Sequence, residues 1–380
     1  MSASAIARSI TFVEYVQAKV RRKPCFVLKS YPTNLVLRAI AAYLARRFRI
    51  VPANRDRIVA GVVEGMADAT PFTIIRRDIT SFYESIDAGA LRRRLVYNTS
   101  LPRAVRHYLT LYFDTLCPAG LGLPRGIGLT SVLAEMAMAE FDQQVRSLPG
   151  VYRYFRYSDD IVIFAYENVS LIESALLSLL SSGMKFNSKK SATVDFTTKG
   201  DGVEKTLEYL GYRLSTCDGT GGKEPRTIEV TISSAKIKRL QSRIILSLKA
   251  FRKDKDGGLL VDRLRMLSSN FQINRHGISA WLRGKRVRSG VYYNYRRCGT
   301  YKKLVFTEAV PGVLADLDNF THGLLKGRHS EFRKLLAAHL TPVHRSQLSR
   351  ISFRLGFASR RLIRIPYARL AVVKGAWRNG

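Results

Sequence analysis

Apolar positions recur at helical spacing near the N-terminus, where Leu35, Leu37, Ile40, Tyr43 and Leu44 fall among Arg38, Arg46, Arg47 and Arg49. The stretch 56–66, DRIVAGVVEGM, repeats the pattern with Ile58, Val59, Val62, Val63 and Met66, so residues 1 to about 70 are expected to be mostly helical and basic. Phe72–Ile75 reads as a short strand with Asp78 at or near its carboxyl end, and Asp87 as the N-cap of a helix carrying Leu91 and Leu95. Residues 120–142 join a loop of Gly120, Gly122, Pro124, Gly126 and Gly128 to an Ala/Met/Leu-rich helix capped by Thr130 or Ser131. Tyr152–Tyr166, YRYFRYSDDIVIFAY, is a run of β-branched and aromatic residues suited to buried strand, broken at its middle by Ser158, Asp159 and Asp160. That break predicts a hairpin with a charged tip, either a functional one or an ordinary solvated turn.

Beyond the hairpin the pattern gives a helix over Leu171–Ser182, then GMKFNSKKS ending in Lys189, Lys190 and Ser191, and a short strand in LEYLGYRL, residues 207–214. The Gly-, Pro- and charge-rich stretch 216–226 is the expected domain boundary. Ser233 or Ser234 can cap a helix whose apolar stripe is Ile237, Leu240, Ile244, Leu248 and Phe251, with Lys236, Arg239 and Arg243 mostly off it. A break at Asp254–Gly258 separates it from a further helix over Leu259–Leu267, and no internal repeat is present.

Charge changes the picture most. Across 380 residues, 63 Lys+Arg against 29 Asp+Glu give a net charge of +34, which implies a polyanionic partner, most simply nucleic acid. No segment approaches the roughly 20 apolar residues of a membrane span, so no membrane partner is expected. Cys25, Cys117, Cys217 and Cys298 lack zinc-ligand spacing and are read as reduced, in a cytoplasmic protein. The last segment, from residue 325, is strongly basic with Glu331 as its single acid, which excludes a metal-dependent nuclease there.

Against that charge, acids gathered at one point are the feature with chemistry in it. Asp78 at a strand end and the Asp159–Asp160 pair supply three carboxylates from two neighbouring strands, a set suited to two metal ions about 3.5–4 Å apart in an in-line phosphoryl displacement. Without cations, three such acids would repel one another. The stretch 284–303 interleaves Arg286, Arg288, Arg296 and Arg297 with Tyr292, Tyr293, Tyr295 and Tyr301. It suits stacking and phosphate contact with RNA, or equally a tyrosine-rich core.

These segments resemble, in order, the motifs of reverse transcriptases. RRDITSFYESID looks like motif A, GLPRGIGLTSVLAE like motif B, YSDD like the Tyr-x-Asp-Asp motif C, GMKFNSKKS like the motif D region and LEYLGYRL like the primer grip, over roughly residues 55–214. The resemblance implies an α+β right-hand polymerase: basic helical fingers (1–70), a palm of antiparallel sheet with packed helices (71–215), an α-helical thumb (216–283) and a basic helical C-terminal extension (284–380) that binds RNA or a partner. It implies that Asp78, Asp159 and Asp160, with the backbone of Ile79, bind two Mg²⁺ ions, or Mn²⁺ in their place. Tyr83 would be the steric gate against a ribose 2′-OH. Ile79, Arg125, Gly126 and one of Lys189 and Lys190 would meet the nucleotide, that lysine beside the leaving pyrophosphate. Tyr157 and Ser158 would lie beside the primer end, and Lys236, Arg239, Arg243, Arg286, Arg288, Tyr292, Tyr293, Arg296 and Arg297 would contact nucleic acid. The chain departs from the family at Arg125, where motif B commonly has Gln. It also lacks the zinc, endonuclease and ribonuclease H additions of mobile elements. The remaining pattern is most similar to the stand-alone bacterial reverse transcriptases of antiphage defence, the unknown-group and abortive-infection relatives. Expected partners are a noncoding RNA template, dNTPs, the DNA product and a second polymerase, effector or further copy. Two other functions fit the same residues: untemplated or protein-primed synthesis with Tyr292 or Tyr293 as primer, and an inactive RNA-binding scaffold.

Overall fold

The computed structural model describes residues 15–20, 23–120, 122–197, 203–218, 224–273 and 287–377. They divide into two units, the first formed by 1–65 and 70–199 and the second by 66–69 and 200–380.

The first unit is built on the strand that ends in Asp78. Thr73–Asp78 (β3) has the buried apolar face of Thr73, Ile74 and Ile75, and it lies between Asp160–Ala165 (β5) and Ala192–Asp195 (β6). Val151–Tyr157 (β4) closes the outer side of β5, so the order is β4-β5-β3-β6 with every pair antiparallel. The predicted hairpin is β4–β5, its two-residue tip being Ser158 and Asp159, with Ser158 at φ 58. Register places Asp78 directly opposite Asp160. Side chains opposite each other in an antiparallel pair share a face, and so do residues two apart on one strand.

Helices cover this sheet because each presents an apolar stripe to it. Tyr31–Arg47 (α1) buries Leu37, Ile40 and Leu44, Arg103–Leu116 buries Leu109, Tyr112 and Phe113, and Gly128–Arg146 buries Leu129, Leu133, Met136, Phe141 and Val145. These join Ile75, Ile79, Ile161 and Ile163 in one core. At roughly 1.5–3 kcal/mol for each fully buried large apolar side chain, this core is the main source of the unit's stability. Arg55–Ala67 (α2) approaches the sheet closely at a glycine: a Cβ on Gly61 would stand 2.6 Å from the Phe155 ring. Ala88–Val96 is capped as expected, the Asp87 carboxylate accepting from Ala90 N at 2.7 Å.

Three expectations are corrected. Residues 1 to about 70 are not all helical: Tyr15–Val20 (β1) and Lys23–Leu28 (β2) form an antiparallel hairpin, with Val16 opposite Val27. Its alternation is masked in the sequence by interspersed lysines and a proline. The helix over 128–146 starts at Gly128, and neither Thr130 nor Ser131 caps it; Thr130 is buried and its hydroxyl donates to Pro124 O at 2.7 Å. LEYLGYRL is two strands, Lys205–Tyr209 (β7) and Tyr212–Thr216 (β8), joined by a two-residue turn with Leu210 at φ 48 and Gly211 at φ 86.

That hairpin belongs to the second unit. Ile228–Ile232 (β9) pairs with β8, Gly299–Lys302 (β12 in chain order, after Asn270–Ile273, β10, and Val287–Gly290, β11) pairs with β9, and Val305–Glu308 (β13) completes a five-stranded antiparallel sheet. The boundary expected at 216–226 is therefore a connection inside one sheet, and the changeover lies near residue 200. The described residues from 224 onward are correspondingly less helical than expected, since four-residue strands with glycine and charge carry little periodic signal. A further sheet, β11-β10-β14, uses Leu362–Ile363 as its parallel edge. The expected helices are present as Ser234–Asp254 and Gly257–Ser268, the second capped by the Asp256 carboxylate accepting from Leu259 N at 2.8 Å. Helices at Val313–Lys326, Arg333–His339, Pro342–Ser349, Phe353–Ser359 and Tyr367–Gly375 follow. Among the described residues no helix is long and apolar enough to cross a membrane.

Candidate active site

The end of β3 and the tip of β4–β5 meet at the three carboxylates. Asp78 is 4% exposed, and Ile79 N donates to Asp159 O at 2.9 Å, tying the strand end to the hairpin tip. Burial pushes the Asp159 carboxyl above its ordinary value, and the charge of Asp78 adds to the rise while Lys190 and Arg125 oppose it. Burial does the same to Asp160, opposed by Arg76 and reinforced by Asp78 and Asp159. The three acids therefore act on one another, as a site that concentrates negative charge must.

Each is balanced differently. Arg76 donates Nε to Asp160 Oδ1 at 3.1 Å and Nη2 to Asp160 Oδ2 at 3.2 Å, a bidentate pair from the same face of β3 as Asp78. Lys190 Nζ donates to Asp78 Oδ2 at 2.8 Å, and Asn187 Nδ2 to Asp78 Oδ1 at 3.4 Å. Of the two candidate lysines, Lys190 is the one on the carboxylate, while Lys189 contributes its backbone N–H to Asn187 Oδ1. Among the described residues no group of three or more His, Cys, Asp or Glu is arranged to hold a metal ion, and Asp160 is engaged by Arg76. Arg76 was missed in the sequence, although its position two residues before Asp78 on a strand puts it on that face.

Behind the tip stands a second missed group. Arg156, whose side chain is 4% exposed, donates to Asp142 at 2.7 and 2.8 Å, to Glu135 at 2.6 and 3.4 Å, and to Ser158 O at 3.1 Å. Burial alone would lower the Arg156 pKa, but hydrogen bonds and charge from Asp142 and Glu135 outweigh it, and the net shift is upward. The guanidinium thus fixes the tip carbonyl to the helix at 128–146.

On the nucleotide-facing candidates, Tyr83 lies within a short helical turn, Phe82–Ser85, and its hydroxyl lies 3.4 Å from Ser158 Oγ. Arg125 lies over the Tyr83 ring at 4.9 Å and donates Nε and Nη2 to the Glu84 carboxylate at 2.6 and 2.9 Å. A cleft of about 220 Å³ opens beside them, lined by Pro52, Tyr83, Val132, Glu135, Tyr157 and Ser158. Ile79 is buried at 1% exposure, and its N–H is taken by Asp159 O. Gly126 packs closely against the N-terminal hairpin. At φ +95 it faces β2, and a Cβ there would stand 2.5 Å from Phe26 O and 2.6 Å from Cys25 Sγ.

Of the predicted nucleic-acid residues, Tyr157 and Ser158 stand at the hairpin of the first unit and the others in the second. Arg239 and Arg296 are exposed, Lys236 and Arg297 are half-buried, and Arg243 lies over the Trp377 ring at 5.4 Å. Arg288 is exposed and donates to the Tyr293 hydroxyl at 3.3 Å. Arg286 lies outside the described residues. Tyr292 is corrected: it is 9% exposed, packs on Phe357 at 5.2 Å and donates its hydroxyl to Glu308 Oε2 at 3.0 Å, so it is core rather than stacking platform or primer.

No protein-family model matches the chain, and no curated protein matches it. Among solved structures it is similar to telomerase from Candida albicans in complex with a fragment of telomeric RNA (15% identity, TM-score 0.34, covering 60% of this chain and 42% of that one). It is also similar to apo telomerase from Candida tropicalis (12%, 0.37, 62% and 43%) and to a form of that protein truncated from the C-terminal domain (14%, 0.35, 53% and 45%). The chain thus spans less than half the length of these structures, and all three TM-scores lie below 0.5.

Proposed function

We propose that this chain is an RNA-templated DNA polymerase acting by two-metal-ion nucleotidyl transfer. The observation that carries the reading is the meeting of Asp78 with the Asp159–Asp160 hairpin tip, where register sets Asp78 opposite Asp160 and Lys190 reaches Asp78. Buried, mutually repelling carboxylates are costly to keep unless a cation joins them. Carboxylate oxygens are the donors that Mg²⁺, a hard ion, takes. Asp78 and Asp159, with the backbone of Ile79, would hold the two ions, which would supply charge neutralisation at the reacting phosphate. Asp160, held by Arg76, fixes the hairpin tip. Lys190, which donates to Asp78, would give a proton to the departing pyrophosphate, and Tyr83 would close the site against a 2′-OH. A noncoding RNA as template, dNTPs as substrates and a role in bacterial antiphage defence complete the proposal, supported by the motif order and the excess positive charge.

The test is extension of a DNA primer on an RNA template by the purified chain with dNTPs and Mg²⁺. Wild type should extend it, EDTA should stop it, and Asp78→Asn or Asp159→Asn should lower the rate at least 100-fold, an effect on the order of 3 kcal/mol. Normal extension by either variant would refute the site. One observation favours a second reading, an inactive RNA-binding scaffold: Arg76 and Lys190 already neutralise two of the three acids. Retained RNA binding with no incorporation at any Mg²⁺ or Mn²⁺ concentration would select it.

A further inference from the structure

The residue after the candidate gate is held by two cations. Glu84 receives both arms of the Arg125 fork, at 2.6 and 2.9 Å, and Lys23 Nζ from β2 lies 3.6 Å from its other side. Lys23 also donates to Ser81 Oγ at 3.3 Å, two residues before Tyr83. The backbone of Arg125 is fixed too, since its carbonyl accepts from Phe26 N at 2.7 Å and the next residue, Gly126, is pressed against β2. Arg125 is therefore held at both ends, by β2 through its backbone and by Glu84 through its guanidinium.

The consequence falls on Tyr83. A guanidinium held in a bidentate fork keeps its plane, and here that group lies 4.9 Å from the centre of the Tyr83 ring, while Leu123 N donates to Tyr83 O at 2.7 Å. Burial by itself would raise the Glu84 carboxyl, but the Arg125 hydrogen bonds and charge, with Lys23, hold it below the ordinary value, so the carboxylate stays ionised as the fork requires. The charge of Asp159 also acts on Arg125, which puts the guanidinium within electrostatic reach of the acids.

Resting on the polymerase reading, we propose that Glu84 is a positioning residue for sugar selection: it locks Arg125 across Tyr83, so that discrimination between dNTP and rNTP depends on the Glu84–Arg125 pair as well as on the tyrosine. Glu84 need not touch the nucleotide. Its effect is to remove the freedom of a ring that would otherwise turn aside for a 2′-OH.

The experiment measures kcat and KM for dTTP and UTP on the same RNA template, using the full chain. Glu84→Ala should reduce the dTTP/UTP ratio of kcat/KM by about tenfold, mainly through a lower KM for UTP, with the pH profile of extension keeping its shape. Glu84→Asp should recover part of the ratio, and Glu84→Ala combined with Arg125→Ala should be no less selective than Arg125→Ala alone, because both act through one ring. A ratio unchanged in Glu84→Ala, with extension active, overturns this inference alone. A wild-type chain that extends no primer overturns the polymerase reading, and the inference with it.

Discussion

Replacing Arg156 with Met should destabilise the first unit through the hairpin that carries Asp159 and Asp160. The guanidinium makes five hydrogen bonds, four to the Glu135 and Asp142 carboxylates and one to Ser158 O. Met roughly keeps the volume but leaves two carboxylates without their cation, Asp142 13% and Glu135 24% exposed at the side chain. Removing one partner of a buried ion pair costs about 3–5 kcal/mol. The lower end applies here, because Tyr154 still donates to Asp142 at 2.6 Å and Glu135 reaches solvent. For a unit of this size, about 3 kcal/mol corresponds to a fall in Tm of roughly 6–12 °C. Thermal denaturation of the purified chain at pH 7, followed by circular dichroism, measures it. Adding Glu135→Gln and Asp142→Asn to the Met variant should return most of the loss, since the orphaned charges go with the cation. A drop below about 2 °C in the single variant, or no recovery in the triple one, would refute the reasoning.

Asp159→Asn should raise Tm at pH 7 even as it removes activity. The wild-type carboxyl has a folded-state pKa above its ordinary 3.8, so its contribution favours the fold below that value and is lost as pH rises through the folded-state pKa; the gain in Tm should be absent near pH 3 and open toward neutrality. Gly126→Ala should cost about 2–4 kcal/mol, from the positive φ and the contact with Phe26 O, read as a lower denaturant midpoint at constant slope. Tyr292→Phe should cost roughly 1 kcal/mol through the lost bond to Glu308 and leave protein-linked DNA, sought by phenol extraction, at the wild-type level.

The amino-acid order was enough for the hairpin with its acidic tip, the strand leading to Asp78, the cap at Asp87 and the paired helices after Ser233. In each, the signal is local: a run of β-branched residues, a carboxylate three residues before an N–H, an apolar stripe at helical spacing. The same locality limited it. Arg76, Arg156 and Glu84 look like ordinary surface charges in a chain of net charge +34, and their partners lie across strands and helices far away in sequence. Nothing local says that Asp160 and Asp78 have different counterions, that Tyr292 is buried, or that residues 299–308 complete a sheet begun at 205. Register decided those questions, because in antiparallel pairing a single residue's slip exchanges the two faces of a strand, and only the assembled sheet fixes which side chains meet.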